Sequence, residues 1–368
     1  MGHIRDFTPA DIPAIAQLWL RCFRKLDKLP SVKLQDCFNR VFFANPCRID
    51  GINSLVYAGS DGQVIGFMGV IPRRMRFRQR EVTVAVATQL MVDSSKRRGL
   101  AAVDLARRLF QGPQILTYSD GAVDISRRLW VRCGGEEAKL YCLEWTRLLH
   151  PLEYRVSQSQ KTGPAARLAR GLRPLWKMVD WLCGFIPEGS FRPPRSELQS
   201  CPLQADDYLK AIKQFPQPES LQSDWDDPAA RWALALAAEG ERYGKLQLNL
   251  VTDSAGAPLG CWAAYLGRGK VAQALHLAAR PGMHFELLQH LLAQASKLGC
   301  LGVNGMVRTS DLLDYGRLRC QLLCRDLGVL FQTRDRELAL AIHSGDAALS
   351  RLDGEWFLPL GINRGMDW

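Results

Sequence analysis

Three cations and a glycine fall together at Lys96-Arg97-Arg98-Gly99, followed by Leu100 and Ala101. The first turn of a helix leaves backbone N–H groups without partners and carries partial positive charge, so a basic turn leading into a helix suits a phosphate. Gly99 would let the backbone approach such a ligand closely. The plainer alternative is an ordinary strand-to-helix turn with a solvated basic corner. The run has neither the G-x-x-x-x-G-K-[ST] of a triphosphate loop nor the G-x-G-x-x-G of a dinucleotide fold. No metal is expected, because His3, His150, His276, His284, His290 and His343 show no H-x-x-x-H or carboxylate spacing. No serine stands in G-x-S-x-G, which speaks against a hydrolase elbow.

The elements around this turn read clearly. Val82, Val84, Val86, Leu90 and Val92 alternate as in a strand. Asp104, Arg107, Arg108 and Gln111 form a polar stripe at helical spacing, and Leu105, Ala106, Leu109 and Phe110 fill the buried side. Ile4 to Phe7 is a first strand, and Thr8-Pro9 opens a helix carrying Ile12, Ile15, Leu18, Trp19 and Phe23. Leu55 to Ala58 and Val64 to Ile71 flank Ser60-Asp61-Gly62, a hairpin signal. A strand from about Met75 to Val92 is broken at Arg78-Gln79-Arg80. After the basic turn and its helix come a strand at Gln114 to Tyr118, a helix to Cys133 stopped by Gly134-Gly135, and a closing strand at Ala138 to Trp145.

Lys96-Arg97-Arg98-Gly99-Leu100-Ala101, preceded by Val92-Asp93-Ser94, resembles motif A of the GNAT acyltransferases, Gln/Arg-x-x-Gly-x-Gly/Ala, with Lys96 in an atypical first place. The helix ending at Cys133-Gly134 is similar to motif B, with Trp130 at the tyrosine position and Ser126 at the alanine. The order of elements over the first 150 residues agrees, and Gly66 stands where the family has a small residue on its third strand. The fold class implied is α/β, a mixed, mostly antiparallel sheet flanked by helices. The resemblance implies that Lys96, Arg97, Arg98, Gly99, Leu100 and Ala101 hold the pyrophosphate of acetyl-CoA or another acyl-CoA. It also implies that the backbone of Leu90, Met91 and Val92 aligns the pantetheine arm. The family's strand-four glutamate is missing; Thr88 and Gln89 are the nearest polar side chains. Asp120 as base and Tyr118 as acid are the best substitutes, set against readings as a turn residue and a packed aromatic.

The chain of 368 residues suggests two domains, and its 47% hydrophobic and 23% charged content fits a globular protein with ample core. No signal-peptide pattern and no spanning apolar run is present, and eleven scattered cysteines fit thiols in a reducing cytoplasm. Ala165 to Ile186 is a basic amphipathic stretch, read as a connecting helix or as a contact with the inner membrane face. Pro187 to Pro202 reads as a linker. The last third repeats the first: Leu246 to Val251, a turn at Asp253 to Gly256, Leu259 to Tyr265, Val271 to Leu277, then Arg280-Pro281-Gly282 before a helix. Gly302 to Val307 and Leu338 to His343 read as further strands. The organisation expected is therefore 1–150 as an active GNAT domain, 151–202 as helix and linker, and 203–368 as a degenerate GNAT-like half.

The expected activity is transfer of an acetyl or longer acyl group from a CoA thioester to an amine, or a hydroxyl, of a small molecule or peptide. A net charge of +11 suits an anionic partner such as coenzyme A or acyl carrier protein. A Fem-like transferase using aminoacyl-tRNA is the rival with a different donor; the basic turn argues against it and against nucleic acid. A non-catalytic GNAT-like binding module is the third reading.

Overall fold

The alternating stretches pair into two sheets in the computed structural model, which describes residues 2–93, 100–158, 178 and 194–362. Two compact units interleave along the chain: Met1–Cys142, Pro218–Arg242 and Arg325–Trp368 form the first, Leu143–Gln217 and Tyr243–Cys324 the second. This departs from the end-to-end boundaries expected at 150 and 202, because strands distant in sequence pair within each unit.

The chain opens in the first unit with β1 (His3–Asp6), α1 (Ile12–Trp19), α2 (Val32–Phe42), β2 (Leu55–Ala58), β3 (Val64–Phe77), β4 (Arg80–Val92), α3 (Ala101–Phe110), β5 (Leu116–Ala122), α4 (Asp124–Arg132) and β6 (Glu136–Glu137). It passes to the second unit for β7 (Leu143–Leu148), α5 (Pro151–Gln158), β8 (Gln199–Pro202) and α6 (Ala205–Ile212), and returns for β9 (Leu221–Ser223) and α7 (Pro228–Ala237). The second unit then takes β10 (Lys245–Thr252), β11 (Pro258–Leu266), β12 (Val271–Ala279), α8 (His284–Lys297), β13 (Gly302–Met306), α9 (Leu312–Arg317) and β14 (Gln321–Cys324). The first unit ends the described chain with β15 (Gly328–Thr333), α10 (Arg336–Ser344) and α11 (Pro359–Ile362).

The first sheet runs β1-β2-β3-β4-β5-β15-β6 with β9 on β3, and the second runs β14-β7-β13-β12-β11-β10-β8. Among the described strand pairs, β4 with β5 and β12 with β13 are parallel. Each sheet also takes an inner strand from the far part of the chain. β15 is antiparallel to β5 in the first unit, and β7 is antiparallel to β13 in the second. The strand expected at Ala138 to Trp145 is thus a short helical turn followed by β7 in the other sheet.

Inside each unit the same local logic places the helix that follows the fourth or matching strand. Leu105 and Leu109 of α3 are buried against Met68, Val70 and Ala85. Leu287, Leu291 and Leu292 of α8 are buried against Trp262, Ala264 and Ala274. Each such side chain contributes roughly 1.5–3 kcal/mol by leaving water. A Cβ on Gly66 would come within 3.2 Å of Leu105, and one on Gly260 within 3.1 Å of Leu287, so both helices lie close over a strand that is bare at that point.

Three local readings change. Arg78 and Gln79 take positive φ (46° and 69°), making a tight turn that assigns Met75–Phe77 to β3. Leu338 to His343 lies in helix α10, not a strand: Asp335 accepts hydrogen bonds from the Glu337 and Leu338 amides, and Leu338, Ala341 and Ile342 are buried at helical spacing. The last four residues of the expected linker are β8, paired with β10. The basic segment expected at 165–186 lies outside the described residues, Met178 excepted. Among the described residues no helix is long and apolar enough to cross a membrane, and no two cysteines form a disulfide.

Candidate functional site

Parallel pairing between β4 and β5 covers Val84–Val86 and Leu116–Tyr118 and then stops. Beyond it a cavity opens, with Ala87, Thr88, Gln89 and Leu90 on one side and Ser119, Gly121 and Ala122 on the other. The parting has a local cause. Phe67 faces Met91 while Gly69 faces Thr88, so β4 carries one residue more than β3 across this stretch. Gln89 lies within the bulge in the left-handed region, φ 49°, a conformation that costs a non-glycine residue about 1–3 kcal/mol.

Gln89 is held there by α1. Its Oε1 accepts the Trp19 indole N–H at 2.9 Å, and its Nε2 donates to Thr88 Oγ1 at 3.3 Å. Trp19 is fully buried, and a buried indole N–H needs an acceptor. The carboxamide therefore anchors the bulge and has no capacity to take a proton. Gln89→Leu would take this acceptor from the indole N–H, and the expected loss is about 1–3 kcal/mol of stability, read from the shift in a urea unfolding midpoint.

The cavity holds a carboxylate that the sequence reading passed over. Glu355 lines it, and its Oε1 accepts from Ser119 Oγ at 2.9 Å. Its backbone N–H donates to Asp120 Oδ1 at 2.7 Å. Two glycines clear space for this arrangement: a Cβ on Gly121 would lie 2.7 Å from Glu355 Oε1, and one on Gly354 2.2 Å from the Asp120 carboxyl. Asp353 secures the segment by accepting from the Ser350 amide and hydroxyl (2.7 and 2.6 Å) and from Ser223 Oγ.

Asp120 and Tyr118 do not line this cavity. Side chains alternate along a strand, so both lie on the face opposite Ser119, at 0% and 1% exposure. Burial pushes the Asp120 carboxyl up to about 7, with the Glu355 carboxylate adding to the rise against the pull of Arg325. Burial also drives the Tyr118 phenol well above its ordinary value. Among the described residues, Asp120 Oδ2 and the Tyr118 hydroxyl have no hydrogen-bond partner.

The residues expected to hold a cofactor fall in two groups. Leu90 lines the cavity, Met91 is buried opposite Phe67, and Val92 pairs with Gly66. Ala101 begins α3 and is buried, with Leu100 exposed just before it. Lys96, Arg97, Arg98 and Gly99 lie outside the described residues. Trp130, at the motif B tyrosine position, packs edge-on against Phe110 at 5.0 Å and closes one wall of the cavity.

No family model matches the sequence, and no curated protein matches it. Solved structures do match. A probable N-acyltransferase of Enterococcus faecalis superposes at a TM-score of 0.56 and 10% identity, over 90% of this chain and 73% of its own. A GCN5-related N-acetyltransferase from Anabaena variabilis gives 0.57 and 12%, over 91% and 73%. Saccharomyces cerevisiae N-myristoyltransferase with bound myristoyl-CoA gives 0.50 and 11%, over 90% and 77%. This is the GNAT fold. The mixed, mostly antiparallel sheets flanked by helices match the GNAT architecture expected from the sequence. Within that fold, the bulge at Gln89 is what separates the fourth and fifth strands.

Proposed function

We propose that this chain transfers an acyl group from a CoA thioester to an amine of a small-molecule or peptide acceptor, in the cavity between β4 and β5. The observation that carries this reading is the Glu355 carboxylate standing across the cavity from the bulged end of β4. Solved neighbours described as N-acyltransferases, one with bound myristoyl-CoA, support the donor class. The acceptor nitrogen attacks the thioester carbon and forms the N–C bond, and Glu355 takes the proton that nitrogen loses. A backbone N–H at the Leu90–Val92 end of β4 stabilises the oxyanion. The C–S bond then breaks, and the departing CoA thiolate takes a proton from solvent. Gln89 and Asp120 act as positioning residues in this scheme, one holding the bulge and the other the Glu355 backbone.

The first unit carries the reaction. At the start of α3 the sequence supplies Lys96, Arg97 and Arg98, whereas at the start of α8 two carboxylates, Asp311 and Asp314, lie 3.2 and 3.4 Å from the His284 ring. Acid at a helix start disfavours a pyrophosphate. Titration of the full chain with acetyl-CoA and longer acyl-CoAs should show saturable binding to one site. Changing Arg97, Arg98 and Gly99 together should weaken it by 100-fold or more, on the order of 3 kcal/mol for two charge-assisted phosphate contacts. Failure of every CoA thioester to bind would sink the reading.

A further inference from the structure

At the start of α8, three side chains distant in sequence converge in a manner the acyl-transfer reading does not use. His284 is the first residue of the helix and is 8% exposed. Asp311 Oδ2 lies 3.2 Å from its Nε2, and Asp314 Oδ2 lies 3.4 Å from its Nδ1. One ligand-type atom from each of the three residues lies within 4.8 Å of the other two. Despite this closeness, Nδ1 of His284 and Oδ2 of Asp311 are shielded from water and make no hydrogen bond among the described residues. The ring and both carboxylates are within ion-pair distance. A buried ring nitrogen and a buried carboxylate oxygen that each lack a hydrogen-bond partner are costly.

A cation between them would remove that cost. One imidazole nitrogen with two carboxylate oxygens suits zinc, manganese or cobalt, whereas calcium and magnesium prefer an all-oxygen set. The outer contacts are consistent with oriented ligands. Arg308 Nε lies 3.4 Å from Asp311 Oδ2, Arg317 Nη1 lies 3.5 Å from Asp314 Oδ1, and Ser310 Oγ donates to Asp311 Oδ1 at 3.1 Å. The Tyr315 ring closes the site edge-on, its centroid 5.8 Å from that of the imidazole.

We propose that His284, Asp311 and Asp314 bind a divalent transition-metal ion, zinc foremost, with water completing the coordination. The ion fastens the turn before α9 across the start of α8. Sequence spacing conceals the set, because its members come from α8, the turn before α9 and α9 itself, with β13 between them.

The full chain, stripped with a chelator, is titrated with zinc by calorimetry, and bound metal is counted by mass spectrometry. The expected result is one ion per chain, with affinity falling tenfold or more in both His284→Ala and Asp314→Asn. Cobalt(II) is the optical probe. A bound-cobalt spectrum without a thiolate charge-transfer band supports the site, whereas such a band would place the ion on cysteines, of which Cys201 and Cys324 are exposed. The proposal is overturned by equal zinc affinity in wild type and both variants, by thiolate-only ligation, or by no binding. Asp314→Asn changes shape little, so it keeps the test decisive if His284→Ala does not fold.

Discussion

Replacing Glu355 by glutamine should lower kcat for acyl transfer by about 10²–10⁴-fold, the usual contribution of a positioned general base. The binding of acyl-CoA should change little. Glutamine retains an oxygen that can accept from Ser119 Oγ, and the backbone N–H to Asp120 is untouched, so the packing that holds the segment survives. The measurement is a steady-state rate with saturating acyl-CoA, beside a direct titration of the same cofactor. A Glu355→Gln enzyme with wild-type kcat would remove Glu355 from the chemistry.

The other large effect concerns stability. Asp120 is buried, and its carboxyl is raised to about 7 in the folded chain from an ordinary 3.8. The folded state therefore holds a proton that the unfolded state gives up on passing pH 4. The stabilisation this proton brings is fully present below about pH 4 and is lost as pH climbs through 7. Above 7 the ionised carboxylate is a standing cost on the order of 4 kcal/mol. Asp120→Asn keeps an oxygen for the Glu355 amide and cannot ionise, so it should be more stable than wild type at pH 8 and similar at pH 4. Thermal melts across that range measure it, and parallel curves for the two proteins would contradict the assignment. Glu355→Gln should flatten the wild-type slope in part, because the Glu355 charge contributes to the rise at Asp120.

Much of the first unit was legible because its signals are local. Period-2 alternation gave β2 to β4, Thr8-Pro9 marked the start of the first helical stretch, and Gly134 at φ 96° ends α4 where the Gly-Gly pair suggested. In the last third Gly260 and Leu287 make the same kind of contact as Gly66 and Leu105, again from local signals. Partner choice was not readable. Nothing in Leu143 to Leu148 says that it pairs with β13, and β15 went unread beside β5. Leu338 to His343 is a short apolar run, where strand and helix cannot be separated by periodicity. The candidate base was hidden by distance: Glu355 reaches Ser119 through contacts made only in the folded unit, while Asp120 and Tyr118, adjacent to the cavity in sequence, turn the other way.

The far-sequence inner strands set a timetable for synthesis. β5 is complete when residue 122 has been made, but the strand that flanks it in the sheet ends at residue 333. At about 5–20 residues per second the ribosome leaves that edge of the first sheet waiting for roughly 10–40 s. An open edge for that long invites pairing with another chain, so the nascent protein calls for chaperone cover until its C-terminal third emerges. Slower translation between these two points should lower soluble yield, whereas slowing after residue 333 should not.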